Sequence, residues 1–169
     1  ERITSLDNPS FFFMHYDNYE VNNLIIVPKC FFVPVVIEKR KPLDSSARRA
    51  GWEGCNILLN QIPDFAKIPI IKNRVVIDSE IVCREYNKIY SLQTNSIESR
   101  GWLFDVLNCV ERLDSTFTLK HMYSFVEELR VKHPNNNNIE AKIRQQLQFL
   151  RDKGFIDFSS RGIYKKVGL

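Results

Sequence analysis

The apolar residues of this chain follow two rhythms. Up to about Ser96 they come in short runs. Ser10-Phe-Phe-Phe-Met-His-Tyr16 and Asn23-Leu-Ile-Ile-Val27 are separated by the turn formers Asp17 and Asn18. Short apolar runs bounded by turn residues predict buried strands. Pro34 to Lys41 predicts a short helix that ends before Pro42, since the residue ahead of a proline disfavours helical backbone. Asn56 to Leu59 predicts a further strand. Pro69 to Ile77 predicts strand, turn and strand, with the turn at Lys72-Asn73. Ser79 is placed to cap a helix running to about Tyr90.

Gln93-Thr-Asn-Ser96 is polar and breaks the pattern, which predicts a domain boundary there: residues 1–95 and residues 96–169. Beyond it the period becomes helical. Trp102, Val106, Leu107, Val110 and Leu113 fall on one helix. Thr118 caps a second, with Leu119, Met122, Val126 and Leu129 on one face, closed by Pro134 and four asparagines. Ile139, Ile143, Leu147 and Leu150 form the stripe of a third, which Gly154 stops. Phe155 to Phe158 and Ile163 to Val167 flank Ser159-Ser-Arg-Gly162 as a small hairpin. Helix, short strand at Phe117, helix, helix and hairpin is the order of a winged helix. The predicted class is α/β for the first part and an α+β winged helix for the second. Such domains bind DNA or other proteins.

The charge sharpens this. The chain has 169 residues and a net charge of +4. From Asn138 onward Lys142, Arg144, Arg151, Lys153, Arg161, Lys165 and Lys166 face only Glu140, Asp152 and Asp157, so this segment holds the whole excess. A basic C-terminal face predicts a polyanionic partner. On the third helix the polar positions are Lys142, Arg144, Gln145, Gln146, Gln148 and Arg151. A glutamine amide matches the major-groove edge of adenine; arginine and lysine match guanine edges or phosphates. A recognition helix reads bases from its first turns. Lys142, Gln145 and Gln146 are therefore the base-contact candidates and Arg151 a phosphate candidate. Arg161, Lys165 and Lys166 sit around the hairpin turn, where a wing meets the DNA backbone or minor groove. Asn135 to Asn138 read as loop and helix cap.

Hydrophobic content of 44% and aromatic content of 12% suffice for a core, and no apolar run is long enough to span a bilayer. No signal-peptide pattern opens the sequence. Glu1 to Leu6 read as the end of a helix, and hence the chain as a piece of a longer protein. Cys30, Cys55, Cys83 and Cys109 are spread too evenly for a zinc site and read as reduced thiols of a cytoplasmic protein.

A nuclease centre needs a carboxylate on one strand and Glu-x-Lys on the next, to hold a divalent metal and orient water. Asp64 is followed by Asp78-Ser-Glu80, but Ile81 and Val82 stand where the lysine belongs. Glu38-Lys-Arg40 lacks an upstream partner. His15, His121 and His133 are isolated. The unexplained stretch is Ser46-Ala-Arg-Arg-Ala-Gly-Trp-Glu-Gly-Cys-Asn56, with two adjacent arginines and a tryptophan in a loop. Such a loop is either a packing feature or a surface that holds phosphate and touches a base.

Segments spread in order along nearly the whole chain resemble the DpnI family of methyl-directed restriction endonucleases. They are Asn8-Pro9 with Phe11-Phe-Phe13, Glu20-Val-Asn-Asn23, Arg40-Lys-Pro-Leu43, Ala47-Arg-Arg-Ala-Gly-Trp52 and Gly54-Cys-Asn-Ile57. Ser99-Arg-Gly-Trp102, Leu107-Asn-Cys109, Phe117-Thr-Leu119, Ile143-Arg-Gln-Gln-Leu147 and Leu150-Arg-Asp-Lys153 continue the series. The resemblance implies a bacterial enzyme that cuts double-stranded DNA at GATC carrying N6-methyladenine. It implies a PD-(D/E)xK nuclease domain followed by a winged helix, acting as a monomer. Residues 1–95 match the back part of that nuclease domain. The family's Mg²⁺-binding carboxylates and zinc cysteines lie upstream of the match, so these residues alone carry no catalytic or metal-binding set. Trp52 matches the tryptophan that touches adenine methyl groups. Arg48 and Arg49 then hold flanking phosphates or a guanine. The rival readings are a transcriptional regulator with an α/β sensor domain, and a winged helix used for protein contacts alone.

Overall fold

The computed structural model describes residues 3–5 and 7–169. Of the helix end expected over residues 1–6, positions 1, 2 and 6 lie outside the described residues; positions 3–5 form a turn. The first half holds a four-stranded antiparallel sheet in the order β1 (Phe11–Asp17), β2 (Glu20–Val27), β5 (Ile68–Lys72), β6 (Val75–Val76). A two-stranded sheet of β3 (Ile37–Lys39) and β4 (Cys55–Ile57) stands apart from it. α1 (Ser79–Tyr90) follows the larger sheet.

Alternation along β1 divides its side chains. Phe11 and Phe13 turn inward against Phe32, with ring centres 4.7 and 6.5 Å away. Phe12 and Met14 turn outward and are exposed. The register carries that outer row across the sheet, from Met14 through Leu24 and Ile71 to Val76.

Both tight turns lie one residue later than the sequence predicts. They are Asn18-Tyr19 and Asn73-Arg74, all four at positive φ. Two-residue hairpins of type I′ require that conformation at both central positions. Tyr19 and Arg74 are poor formers of it, which misplaced the expectation. Arg74 is held from outside: its Nε donates to Asn22 Oδ1 at 2.7 Å and its backbone N–H to Asn22 O at 2.9 Å. The helix expected over Pro34 to Lys41 is a 3-10 turn, Pro34–Val36, followed by β3. The β-branched run Val35-Val36-Ile37 favours strand, and Ile37 finds its partner in Ile57. The strand expected over Asn56 to Leu59 is β4, one residue earlier and ending at Ile57. α1 is capped by Asp78, whose Oδ1 accepts the Glu80 N–H at 2.7 Å, rather than by Ser79.

The second half is a winged helix. α2 (Ile97–Glu111) precedes β7 (Thr116–Thr118), α3 (Leu119–Tyr123), α4 (Val126–Lys132), α5 (Ile139–Asp152) and the hairpin β8 (Ile156–Ser160) with β9 (Ile163–Lys166). The sheet order is β7-β9-β8. One helix was expected from Thr118 to Pro134; two form. Thr118 and His121 make a reciprocal capping box at the start. Ser124 Oγ then donates to His121 O at 2.7 Å, and Phe125 leaves helical geometry with Arg112 4.5 Å above its ring.

α2 is buried on almost every side, from Trp102 to Val110. It serves both halves, so the core is continuous across the boundary at Asn95. Phe65 bridges them, 5.8 Å from Phe31 and 5.9 Å from Phe155. Arg100 donates back to the carbonyls of Thr4 and Lys29.

Inside the winged helix, buried Asp105 accepts from Lys132 Nζ and is hydrogen-bonded to His133 Nε2, each at 2.9 Å. His133 lies flat on Trp102, with ring centres 3.7 Å apart. Burial opposes the charge on Lys132, yet the bond and charge of Asp105, with Glu128, leave its pKa raised. Glu128 is held below the usual glutamate range, first by the hydrogen bond from Arg112.

The raised lysine stabilises the fold at every pH below the ordinary lysine range. That contribution goes only as pH rises through the folded value. The depressed Glu128 stabilises above the ordinary glutamate pKa, and its contribution goes as pH falls through the folded value. Glu128→Gln is therefore expected to cost under about 1 kcal/mol at neutral pH, because the pair is part-exposed. Calorimetric melting curves of variant and wild type should converge as pH falls from about 5 towards 3.

Candidate nucleic-acid interface

The arginine–tryptophan stretch is the loop between β3 and β4. Backbone bonds continue the ladder into it, from Arg40 N–H to Gly54 O at 3.0 Å and from Leu43 N–H to Trp52 O at 2.9 Å. Its far end is a turn: Asp44 Oδ1 accepts the Ser46 N–H at 2.9 Å, and that bond holds the carboxyl below its usual range. Gly51 supplies the positive φ that brings the chain back, at +76°. Trp52 is 53% exposed and belongs to no core. Its indole lies across Gly54, where any Cβ would come within 3.0 Å of the ring. Arg48 and Arg49 are exposed and border a hollow of about 440 Å³ with Leu43 and Ala47. Neither has an ion-pair partner among the described residues. An indole face and two unneutralised guanidiniums thus share one stiff loop.

The second surface is α5. Ile139, Ile143, Leu147 and Leu150 are buried as the periodicity requires. Arg144, Gln145 and Gln148 point outward and are exposed. Arg144 is partly engaged, donating to the Tyr123 hydroxyl and lying 3.9 Å from Glu140. Lys142 stands on the flank, 5.9 Å above the Trp102 ring. Arg151 is exposed, paired to Asp152 at 2.8 Å and 4.7 Å above Phe158.

Two candidates face elsewhere. Gln146 is buried at 7% exposure, so it offers no edge to a base in the groove. Position 146 lies three residues after Ile143 and belongs to the inner stripe. Lys166 turns back from the wing: its Nζ donates to Leu113 O at 2.6 Å and Glu111 O at 3.1 Å, closing the end of α2. Burial there lowers its pKa. Arg161, at the hairpin tip beside Gly162 (φ +75°), and Lys165 stay exposed. Charge counting cannot separate Lys165 from Lys166; strand alternation can.

The carboxylates considered for metal chemistry have structural partners. Glu38 accepts from Asn56 at 2.9 Å, Asp64 pairs with Lys67 at 2.7 Å, and Asp78 caps α1. Among the described residues no three histidine, cysteine, aspartate or glutamate side chains gather as a metal would need. Burial raises Cys30 and Cys109 to about 12, which makes them protonated packing residues. The described residues therefore do not fit a Mg²⁺ or zinc site. No helix is long and apolar enough to cross a membrane. Sequence reading missed Gln93, which faces α5 across a cleft. Nothing local marks it, because its position is set only by tertiary packing.

An α/β unit with an exposed cationic loop, joined to a winged helix whose outer face is polar, defines a DNA-recognising protein. Residues 1–95 match the family described as the Dam-replacing family, DpnI. Residues 98–166 match the Dam-replacing HTH domain. The chain belongs to the Dam-replacing family, the DpnI-type methyl-directed restriction enzymes.

Two outcomes are expected from the geometry. Acrylamide should quench one tryptophan class and spare another, because Trp102 is 1% exposed and Trp52 is not; Trp52→Phe should remove the quenchable class. Lys166→Met should lower stability by about 1 kcal/mol in denaturant melts, as two helix-end carbonyls lose a charged donor.

Proposed function

We propose that this chain is the DNA-reading part of a type II restriction endonuclease that cuts GATC sites carrying N6-methyladenine. The observation that carries the reading is Trp52, an exposed indole braced on Gly54 beside unpaired Arg48 and Arg49. A methyl group in the major groove offers apolar area and no hydrogen bond, so an indole face favours it. Burying one methyl is worth about 0.8 kcal/mol, or about fourfold in affinity. Larger discrimination needs a further penalty on unmethylated duplex, such as a poorly hydrated gap against the ring. Arg48 and Arg49 hold flanking phosphates or a guanine.

In this reading α5 enters the major groove of the same duplex, with Gln145 and Gln148 towards base edges and Arg144 and Arg151 towards phosphates. Arg161 and Lys165 follow the backbone from the wing. The first half is the back part of a PD-(D/E)xK nuclease domain. The apolar row from Met14 to Val76, exposed at both ends and half-buried at Leu24 and Ile71, supports this, since it offers that domain's remaining part a face to cover. The Mg²⁺ ligands and the zinc cysteines then come from outside the residues described. Two reading surfaces on one chain suit a monomer.

A titration with GATC duplexes that are unmethylated, hemimethylated and fully methylated tests the reading at two salt concentrations. Tight binding is expected only with methylated duplex, and Trp52→Ala should abolish the preference. Equal affinity for all three duplexes rejects the methyl-reading role and leaves a general DNA-binding winged helix.

A further inference from the structure

A cleft of about 380 Å³ opens between the start of α2 and the flank of α5. Gln93, Ser99, Lys142, Gln145, Gln146 and Phe149 contribute to its walls. Two of these side chains make no hydrogen bond within the protein, and for one of them that is costly. Gln146 is 7% exposed, and no hydrogen bond from the described residues holds its amide, whose atoms are not sealed from solvent. Gln93 Oε1 is fully buried and also lacks one. Buried polar groups in folded proteins are nearly all paired. A buried, unpaired atom of Gln93 and an unengaged amide of Gln146 on the walls of one cleft point to a ligand that meets them.

The charge of the walls selects the ligand. Lys142 is the cation of the cleft and no carboxylate lines it among the described residues. Lys142 has no ion-pair partner there; its ammonium rests over the Trp102 ring. Ser99 lines the cleft from the first turn of α2, a 15-residue helix whose positive end therefore lies beside it. An amide turned about its last bond presents NH₂ in place of oxygen. The cleft then offers amide, hydroxyl and ammonium donors together, which is the complement of an oxyanion. Its position on the flank of α5, beside Gln145, puts it next to the duplex that α5 reads.

We propose that this cleft seats one backbone phosphate of the DNA, just outside the base pairs contacted by α5. The seat rests on the DNA-reading role proposed above. It makes Gln146 and Gln93 backbone-holding residues, and it fixes the depth of α5 in the groove through α2.

The full chain is titrated by fluorescence anisotropy against methylated and unmethylated duplexes over a range of salt. Lys142→Gln should reduce the slope of log K on log salt by about 0.9, the value for one phosphate. It should weaken both duplexes by the same factor. Gln146→Leu should weaken binding about threefold to tenfold while its melting temperature stays the same or rises, because the amide makes no hydrogen bond within the protein and the side chain is otherwise buried. Single methylphosphonate linkages walked along the duplex should reveal one flanking position where neutralisation weakens the wild type and leaves Lys142→Gln unaffected. A wild-type chain that binds no duplex overturns the DNA reading and the seat together. Wild-type binding with an unchanged slope in Lys142→Gln, and no such linkage, overturns the seat alone. Gln146→Leu with unchanged affinity and a lower melting temperature makes the amide a packing element and overturns its part.

Discussion

The winged helix hangs on one buried carboxylate. Asp105 sits inside α2 and takes hydrogen bonds from the last residue of α4 and the histidine that follows it. A charge in that position is tolerable only because two partners meet it. Their geometry fixes where α4 ends, and the short Asn-rich turn after His133 then fixes where α5 begins. Removing one partner would leave the other polar group buried without compensation, which costs more than the pair contributes. The orientation of the outward face of α5 is thus a consequence of packing three residues deep on its opposite side.

α2 extends that constraint to the other half. It is apolar nearly all round because it is covered from two directions, by the winged helix and by the aromatic layer of Phe31, Phe65 and Phe155. Lys166 closes its end from β9 and Arg100 reaches from its first turns to the carbonyls of Thr4 and Lys29. The loop with Trp52 and the helix with Gln145 therefore belong to one packed body rather than to two beads on a string. The family matches divide the chain at the start of this helix, whereas the core runs through it.

The helices and the wing were legible because their signals are periodic. Ile139, Ile143, Leu147 and Leu150 announce α5, and Gly154 announces its stop at φ +74°. The loop at Trp52 was legible as a chemical oddity, two cations and an indole with no packing reason. Less legible was anything decided by distant partners. Within Pro34 to Lys41, Ile37–Lys39 became strand because Ile57 pairs with Ile37. Tyr19 and Arg74 took left-handed turns because the strands on each side dictated them. Lys166 looked like its neighbour Lys165 until alternation sent it to the end of α2. Gln146 looked like a reader because polarity is visible in sequence and the inner stripe of a helix is counted only once its register is fixed.

The ring of Trp52 lies against Gly54 of its own loop. With no Cβ at position 54, the indole packs flat on backbone and keeps half its surface open. Its rotamer freedom is therefore surrendered when the protein folds, not when something docks on it. On the reading proposed above, an indole braced in this way would need little ordering to make a contact, so little of the contact energy would be consumed in arranging the protein side. Selectivity in such an arrangement resides in fit rather than in adaptation. A surface that cannot bend towards a poor partner rejects it at the first encounter.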